Sequence, residues 1–159
     1  MEDRYLFKAK IKENNNTGYK ELDWIIGNLV VEQSTGRHFI IDLSHFDENT
    51  KLCDVMIEVD PSTICQCTGI LDKTGKLICE NDIVKFEDCG EEGYEYKEGF
   101  DFENKARVEF TEGRWSLTDF VSDNSAVIDG MYDHAEFMDL WGECEVIGNK
   151  FDNPELLEV

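Results

Sequence analysis

Basic residues and long apolar runs are both scarce in this sequence. Its 159 residues include 15 lysines and arginines against 36 acids, which gives a formal net charge of −21. Such an excess repels polyanions and attracts basic surfaces. We therefore expect no direct binding to nucleic acid or to an anionic membrane. No stretch approaches the roughly 18 consecutive apolar residues of a membrane-spanning helix.

An export signal is also missing from the sequence as it stands. The N-terminal stretch MEDRYLFKAK has no apolar core of the kind that a secretory signal peptide requires. We therefore expect a cytoplasmic protein, in which the six cysteines are reduced thiols.

The common motifs of catalysis and phosphate binding do not occur. The sequence contains no G-x-S-x-G, no cysteine-protease signature, no G-x-x-x-x-G-K-[ST] and no G-x-G-x-x-G. His134 lies between acids in YDHAEF, but such surroundings are common for surface histidines. We therefore predict that the protein is not an enzyme, has no catalytic residue and needs no cofactor.

The spacing of the cysteines gives little support for a metal site. Cys65 and Cys67 form a C-x-C pair, whose thiols would share one face of a strand. Structural zinc usually recruits C-x-x-C pairs, and none occurs here. The other thiols and two histidines are scattered along the chain: Cys53, Cys79, Cys89, His38 and His45. We predict buried thiols and no metal site.

Short strand-like segments separated by turns are abundant instead. In RYLFKAKIK, at 4–12, Phe7, Ala9 and Ile11 alternate with a mostly basic face. Similar segments continue to the C-terminus, where DNPELLEV predicts a short helical turn that begins at Pro154. The pattern predicts a mainly β (β-rich α+β) fold, a small barrel-like domain of short antiparallel strands over residues 1–159.

The hairpin CTGILDKTGKLICENDIVKF, at 67–86, is predicted to be scaffold. Asp72 can accept hydrogen bonds from the backbone that follows it, and Gly75 supplies a positive φ. Asn81 suits a left-handed position at the next bend. Strand–turn–strand units of this kind need no ligand.

Residues 87–104 differ from the rest, because eight acids and one lysine lie among glycines and aromatic residues. We interpret this segment as an acidic, flexible insertion, which is either solubilising or a docking element for a basic protein surface. Carboxylates would steer the encounter and rings would bury area. The predicted partner-binding residues are Glu91, Glu92, Tyr94, Glu95, Tyr96, Glu98, Phe100, Asp101 and Phe102.

Three segments taken in order resemble the YopX family of phage and prophage proteins. They are YLFKAK at 5–10, EVDPSTICQCTGILDKTGKLICENDIVKF at 58–86 and CEVIGNKFDNPELL at 144–157. The family pattern usually has glycine in place of Asn81 and commonly in place of Ala9. The resemblance implies a small β-rich fold, a location in a bacterial host cell, a homo-oligomer and no assigned catalytic residue.

Three functions are compatible with these observations. The favoured one is a non-catalytic phage accessory protein that binds a basic host or phage protein, with mimicry of DNA or inhibition of a host defence as its sharper form. The second is an oligomeric protein that binds a nucleotide-like signal, with candidate residues Arg4, Lys8, Lys10 and Lys20, or Arg107 and Arg114. The third is a structural or assembly protein.

Overall fold

The computed structural model describes residues 5–12, 23–42, 44, 47–87, 103–122 and 141–158. Contacts along the chain divide it into two compact units, Met1–Gly69 and Ile70–Val159. Unit 1 contains β1 (Phe7–Lys10), β2 (Trp24–Glu32), β3 (Arg37–Ile41), α1 (Leu52–Val55), β4 (Met56–Glu58) and the start of β5 (Cys65–Leu71). Unit 2 contains the end of β5, β6 (Leu77–Cys79), β7 (Asp82–Glu87), β8 (Glu103–Thr111), β9 (Arg114–Ser122) and β10 (Glu145–Asn149).

The strands of unit 1 form an antiparallel sheet with an aliphatic core on one face. β2 lies between β1 and β3, β4 flanks β3, and β5 flanks β1. The apolar face predicted for β1 lies in the core, because Ala9 and Ile11 are buried with Ile25, Ile40 and Ile57. The burial does not alternate cleanly, since Lys8 on the basic face is buried as well. An isolated bridge also joins Ile11 to Val59, beyond the end of β4.

Gly27 is where β2 needs a residue without a side chain. A Cβ atom there would overlap the carbonyl oxygen of Ile41 on the neighbouring strand. Glycine is therefore required at this position by the close approach of two backbones.

Unit 2 is built on a second antiparallel sheet, in the order β10-β7-β8-β9. One face carries the core, in which Val84, Phe86, Ala106 and Val108 pack with Trp141 and other buried residues. A bulge in β9 gives Asp119 a left-handed backbone, with φ of 54°. Within the described residues neither sheet closes into a complete barrel, and the prediction of a β-rich fold of short antiparallel strands is confirmed.

The hairpin turn after β5 is held by one carboxylate. Oδ1 of Asp72 accepts hydrogen bonds from the Thr74 backbone N–H (2.8 Å), the Thr74 hydroxyl (2.7 Å) and the Lys76 N–H (2.9 Å). Its Oδ2 accepts from the N–H of Val146 on β10 (2.8 Å). Gly75 has a φ of 87°, as predicted. Hydrogen bonds within the turn therefore stabilise its conformation, and the bond to Val146 links the hairpin to the sheet of unit 2.

Three further sequence predictions about local structure can be compared with the fold. Asn81 is left-handed, with φ of 65°, as its place in the bend predicts. The helical turn at the C-terminus is a 3₁₀ turn over Pro154–Leu157, with proline at the start as predicted. The polar composition of residues 44–54 favours a loop, but this segment contains most of α1.

Candidate functional site

The predicted partner-binding residues lie outside the described residues, from Glu91 to Phe102. The structure does describe where this segment leaves the sheet and returns to it. β7 ends at Glu87 and β8 begins at Glu103, and these two residues are direct partners in the antiparallel ladder. The next pair is Phe86 with Asn104. The ends of the predicted insertion are therefore strand residues, and residues 88–102 connect two adjacent strand ends.

A cluster of basic and aromatic side chains lies on the outer face of unit 1. β1 alternates, so Lys8 and Lys10 leave the sheet on the side opposite Ala9, where Lys8 is buried and Lys10 is partly exposed. Lys10 pairs with Trp24 across the ladder, and Lys8 pairs with Ile26. The Lys8 Nζ lies 4.7 Å from the centre of the Trp24 ring, and the Lys10 Nζ lies 5.5 Å from it. Both distances fall within the range of cation–π contacts.

The same face carries two more cations, which share one carboxylate. Glu58 on β4 accepts from Lys12 Nζ at 3.1 Å and from the Arg37 Nη2 at 2.5 Å. Hydrogen bonds from Arg37 are the main reason that the pKa of Glu58 falls to about 2, and Lys12 adds to the effect while burial opposes it. Glu58 is therefore fully ionised at neutral pH.

Apolar side chains extend this surface along β2. Ile26 is 39% exposed and Val30 is 37% exposed. Phe39, which pairs with Val30, is buried, and the Arg37 guanidinium lies 4.9 Å from its ring centre. The outer face of unit 1 thus combines cations, rings and aliphatic side chains, which are the components of a binding surface.

Replacing Glu58 by glutamine should flatten the pH dependence of stability in acid. The folded-state pKa of about 2 lies below the ordinary glutamate value of 4.5, so the stabilisation from Glu58 is complete above pH 4.5 and is lost as the pH falls toward 2. At neutral pH we expect E58Q to lose about 1 kcal/mol, because both cations are half-exposed. Denaturation from pH 2.5 to 7 measures this, with E48Q as the control. A difference between E58Q and wild type that does not change with pH would contradict the prediction.

Arg107 is one of the candidates for a nucleotide pocket. Its guanidinium is hydrogen-bonded to three side chains of the same chain. Its Nε donates to Asp119 at 2.6 Å, its Nη1 to the Asn81 side-chain oxygen at 3.2 Å and its Nη2 to Glu109 at 3.4 Å. Asn81 and Asp119 are both left-handed residues. The guanidinium therefore stabilises a bend and a bulge of its own chain.

The cysteines divide into thiols and disulfide-bonded residues. Cys67 and Cys79 are disulfide-bonded, so the prediction of six reduced thiols is wrong at these positions. Cys53 is an exposed thiol, whereas Cys65 and Cys144 are buried. Burial raises the pKa of Cys144 to about 11, which keeps the thiol protonated. Among the described residues there is no group of three or more histidine, cysteine or acidic side chains placed to hold a metal ion.

The three histidines add little to the candidate site. His38 lies on β3, where its Nδ1 is buried without a hydrogen-bond partner in the described structure. His45 and His134 lie outside the described residues.

The C-terminal segment CEVIGNKFDNPELL also has a structural role. Asn149 accepts from the N–H groups of Phe151 (2.9 Å) and Asp152 (3.0 Å), which turns the chain after β10. A Cβ atom at Gly148 would meet the side chain of Asn153 at 2.6 Å. These residues fix how the last 3₁₀ turn follows the strand.

The fold and surfaces define a small antiparallel β protein whose distinctive sequence segments maintain turns and strand ends. The chain belongs to the YopX family, since the family model described as YopX protein matches residues 6–158. No curated protein matches the chain. In the described part of the chain, no helix is long and apolar enough to cross a membrane.

Trp24 is the residue of the candidate surface that the sequence did not single out. The basic face of β1 was predicted from its alternation, but Trp24 reaches it only through the β1–β2 register. An aromatic residue at the start of the next predicted strand was the available signal. The sequence of residues 13–22, which connect β1 and β2, does not indicate which residues of the two strands pair.

Proposed function

We propose that this chain is a non-catalytic accessory protein of a phage or prophage, and that it acts by binding a basic host or phage protein. Membership of the YopX family supports the phage context. The observation that supports the mode of action is the charge of −21 on a chain of 159 residues. A field of this sign attracts cationic surfaces and accelerates their encounter.

The negative charge is concentrated in the second half of the chain. Residues 70–159 carry 24 acids and 8 bases, and residues 1–69 carry 12 acids and 7 bases, which together account for the 36 acids and 15 bases. DNA-binding clefts are basic because they neutralise phosphates, so they also attract a protein with this many carboxylates. The more specific forms of the proposal are therefore mimicry of DNA and inhibition of a host defence protein.

Ion pairs within each unit strengthen this argument. Lys12 and Arg37 contact Glu58 in unit 1, while Lys73 contacts Glu145 at 3.0 Å and Arg107 contacts Asp119 in unit 2. Each of these cations is offset by a nearby carboxylate of the same chain. The carboxylates left over therefore dominate the field that a partner meets.

Affinity purification of the tagged full-length protein from its bacterial host, followed by mass spectrometry, tests the proposal. The eluted proteins should be basic, and their retention should fall steeply when the salt concentration is raised, because exposed charges are screened. Each candidate is then purified and titrated against the protein with and without duplex DNA. Competition by DNA would support mimicry.

Two outcomes would contradict the proposal. One is a specific partner whose surface is acidic or neutral. The other is binding to a basic partner that is unchanged between low and high salt, because charge would then not drive the association.

A further inference from the structure

The hairpin of β8 and β9 in unit 2 carries an aromatic pair next to its turn. Glu112 and Gly113 form the turn, with φ of 52° and 80°, and positive φ at both positions is typical of a two-residue type I′ turn. Phe110 and Trp115 are direct partners one pair away from this turn. Their ring centres are 5.0 Å apart and their planes make an angle of 61°. We call these two rings the Phe110–Trp115 corner.

The two rings of the corner differ in their exposure. Phe110 continues the row of Ala106 and Val108 on β8, but it is 46% exposed where those residues are buried. Trp115 is partly buried and packs against the core of unit 2. Trp115 therefore fixes the corner to the core, and Phe110 presents its ring to solvent.

A ring face attracts cations because of its quadrupole. This chain already shows such a contact in unit 2, where the Nζ of Lys150 lies 5.1 Å from the ring centre of Phe151. In the described part of the chain, no cation lies over Phe110 or Trp115. Arg114 directly precedes Trp115 on β9, so its side chain leaves the opposite face of the sheet. The corner is thus a cation acceptor that the described residues do not fill.

We propose that the Phe110–Trp115 corner binds an arginine side chain of the basic protein partner, an inference that rests on the proposed function. The guanidinium stacks on the exposed face of Phe110, beside Trp115. A guanidinium is planar, stays charged and is more weakly hydrated than an ammonium group, so it leaves water for an aromatic face more readily.

The charge of this half of the chain favours a cationic occupant. Residues 70–159 carry 24 acids and 8 bases, which is a net charge of −16. This field attracts cations to the whole unit, but it does not select one point of contact. The corner carries no charge, so it adds contact energy at one place without changing the field.

The corner can belong to the same interface as residues 88–102. That segment rejoins the sheet at Glu103, the first residue of β8, and Phe110 lies seven residues further along the strand. At about 3.3 Å per residue the two positions are roughly 23 Å apart. A standard interface covers about 800 Å² of each partner, which corresponds to a patch roughly 30 Å across. One partner of ordinary size therefore reaches both.

Nuclear magnetic resonance of the full-length protein with N-acetyl-arginine amide tests the corner without a known partner. The indole N–H signals are assigned by comparing W24F and W115F with wild type, and ionic strength is held constant. The Trp115 signal should shift in a saturable way. The Trp24 signal should not, because Lys8 and Lys10 already lie over that ring. The buried Trp141 should not shift either. N-acetyl-citrulline amide, a neutral molecule of nearly the same shape, should leave all three signals in place.

The variant F110L tests the corner against a basic protein identified by the affinity purification. Leucine keeps an apolar side chain but has no ring face, and the charge is unchanged. F110L should bind about fivefold more weakly, the value of one exposed cation–π contact. Its affinity should fall with salt as steeply as that of wild type, because the field is the same. The control is Y5L, which removes a 61% exposed ring from unit 1 and should bind as wild type does.

Three results would overturn the inference: no shift of the Trp115 signal, equal shifts with the arginine and citrulline compounds, or equal affinity of F110L and wild type. None of them affects the capture of basic proteins in a salt-sensitive way, so the proposed function would survive. Capture of an acidic or neutral partner would instead contradict the proposed function, and with it the identity of the partner inferred for the corner.

Discussion

Replacing Asp72 by alanine is expected to lower the free energy of unfolding by about 3–5 kcal/mol, because each buried donor left without a partner costs about 1–3 kcal/mol. The Asp72 side chain is buried and its carboxylate accepts four hydrogen bonds. Alanine leaves three backbone N–H groups and one hydroxyl without this acceptor. Since a typical domain has only 5–15 kcal/mol of stability, the loss is a large fraction of the total.

The two oxygens of Asp72 have separate tasks, which allows a sharper test. Oδ1 serves the Thr74 and Lys76 donors inside the turn, while Oδ2 serves the N–H of Val146 on β10. Asparagine can keep the first oxygen but places an NH₂ group against the Val146 N–H. D72N should therefore lose about 1–3 kcal/mol, the cost of one unsatisfied buried donor.

Denaturant unfolding of D72A, D72N and T74V measures these differences. T74V removes only the hydroxyl bond and should cost about 1 kcal/mol, the net value of one neutral hydrogen bond. The expected order of stability is wild type, T74V, D72N and D72A. If D72A fails to fold, the relative stabilities of T74V and D72N still test the prediction. D72N within about 0.5 kcal/mol of wild type, the usual size of a surface change, would show that the link to β10 is not important.

Acid should reproduce part of the D72A effect. Burial alone would raise the pKa of Asp72, but hydrogen bonds from Val146, Thr74 and Lys76 outweigh it and lower the pKa below the ordinary aspartate value of 3.8. The stabilisation is therefore present above pH 3.8 and lost as the pH falls through the lower folded-state pKa.

The sequence predicted those features that depend on few neighbouring residues. Asp72 and Gly75 specify their turn through contacts within five residues, and Asn81 specifies its bend by tolerating a positive φ. The buried face of β1 follows from alternation of Phe7, Ala9 and Ile11. The link from Asp72 to Val146 spans 74 positions in the chain, so no local pattern indicates it.

The features that were missed depend on register or on competition between partners. Trp24 joins the lysines because of the β1–β2 pairing, and Arg107 is taken by Asp119 because a β9 bulge presents that carboxylate. The four-residue helix α1 is too short to show helical periodicity. The disulfide-bonded state of Cys67 and Cys79 does not follow from the sequence, because the absence of an export signal favours reduced thiols.

Deleting residues 88–102 and joining Glu87 to Glu103 through Asn-Gly is expected to preserve the fold and abolish binding to the basic partner. Glu87 and Glu103 are already paired, so a two-residue type I′ turn can replace the segment. Shortening 15 residues to 2 should raise the free energy of unfolding by about 1–2 kcal/mol, because loop closure costs less entropy. The deletion also removes six acids and one lysine.

Circular dichroism and denaturant unfolding measure the first effect, and titration with the identified partner measures the second. Two substituted proteins separate charge from contact. Changing Glu91, Glu92, Glu95 and Glu98 to glutamine should mainly slow association, with the larger effect at low salt, because exposed charges act on the encounter. Changing Tyr94, Tyr96, Phe100 and Phe102 to alanine should mainly accelerate dissociation, because buried rings carry much of the contact energy.

A matched control keeps the change in charge and moves its position. Glu48, Glu143, Glu155 and Glu158 are exposed in the structure, and their change to glutamine removes the same four charges. If residues 88–102 contain the docking element, this control should associate faster than the Glu91, Glu92, Glu95 and Glu98 variant at low salt. Equal slowing would mean that the whole field, and not this segment, steers the partner. Normal binding by the deletion protein would make the segment a solubilising insertion, because a protein cannot lose its contact residues and keep its affinity.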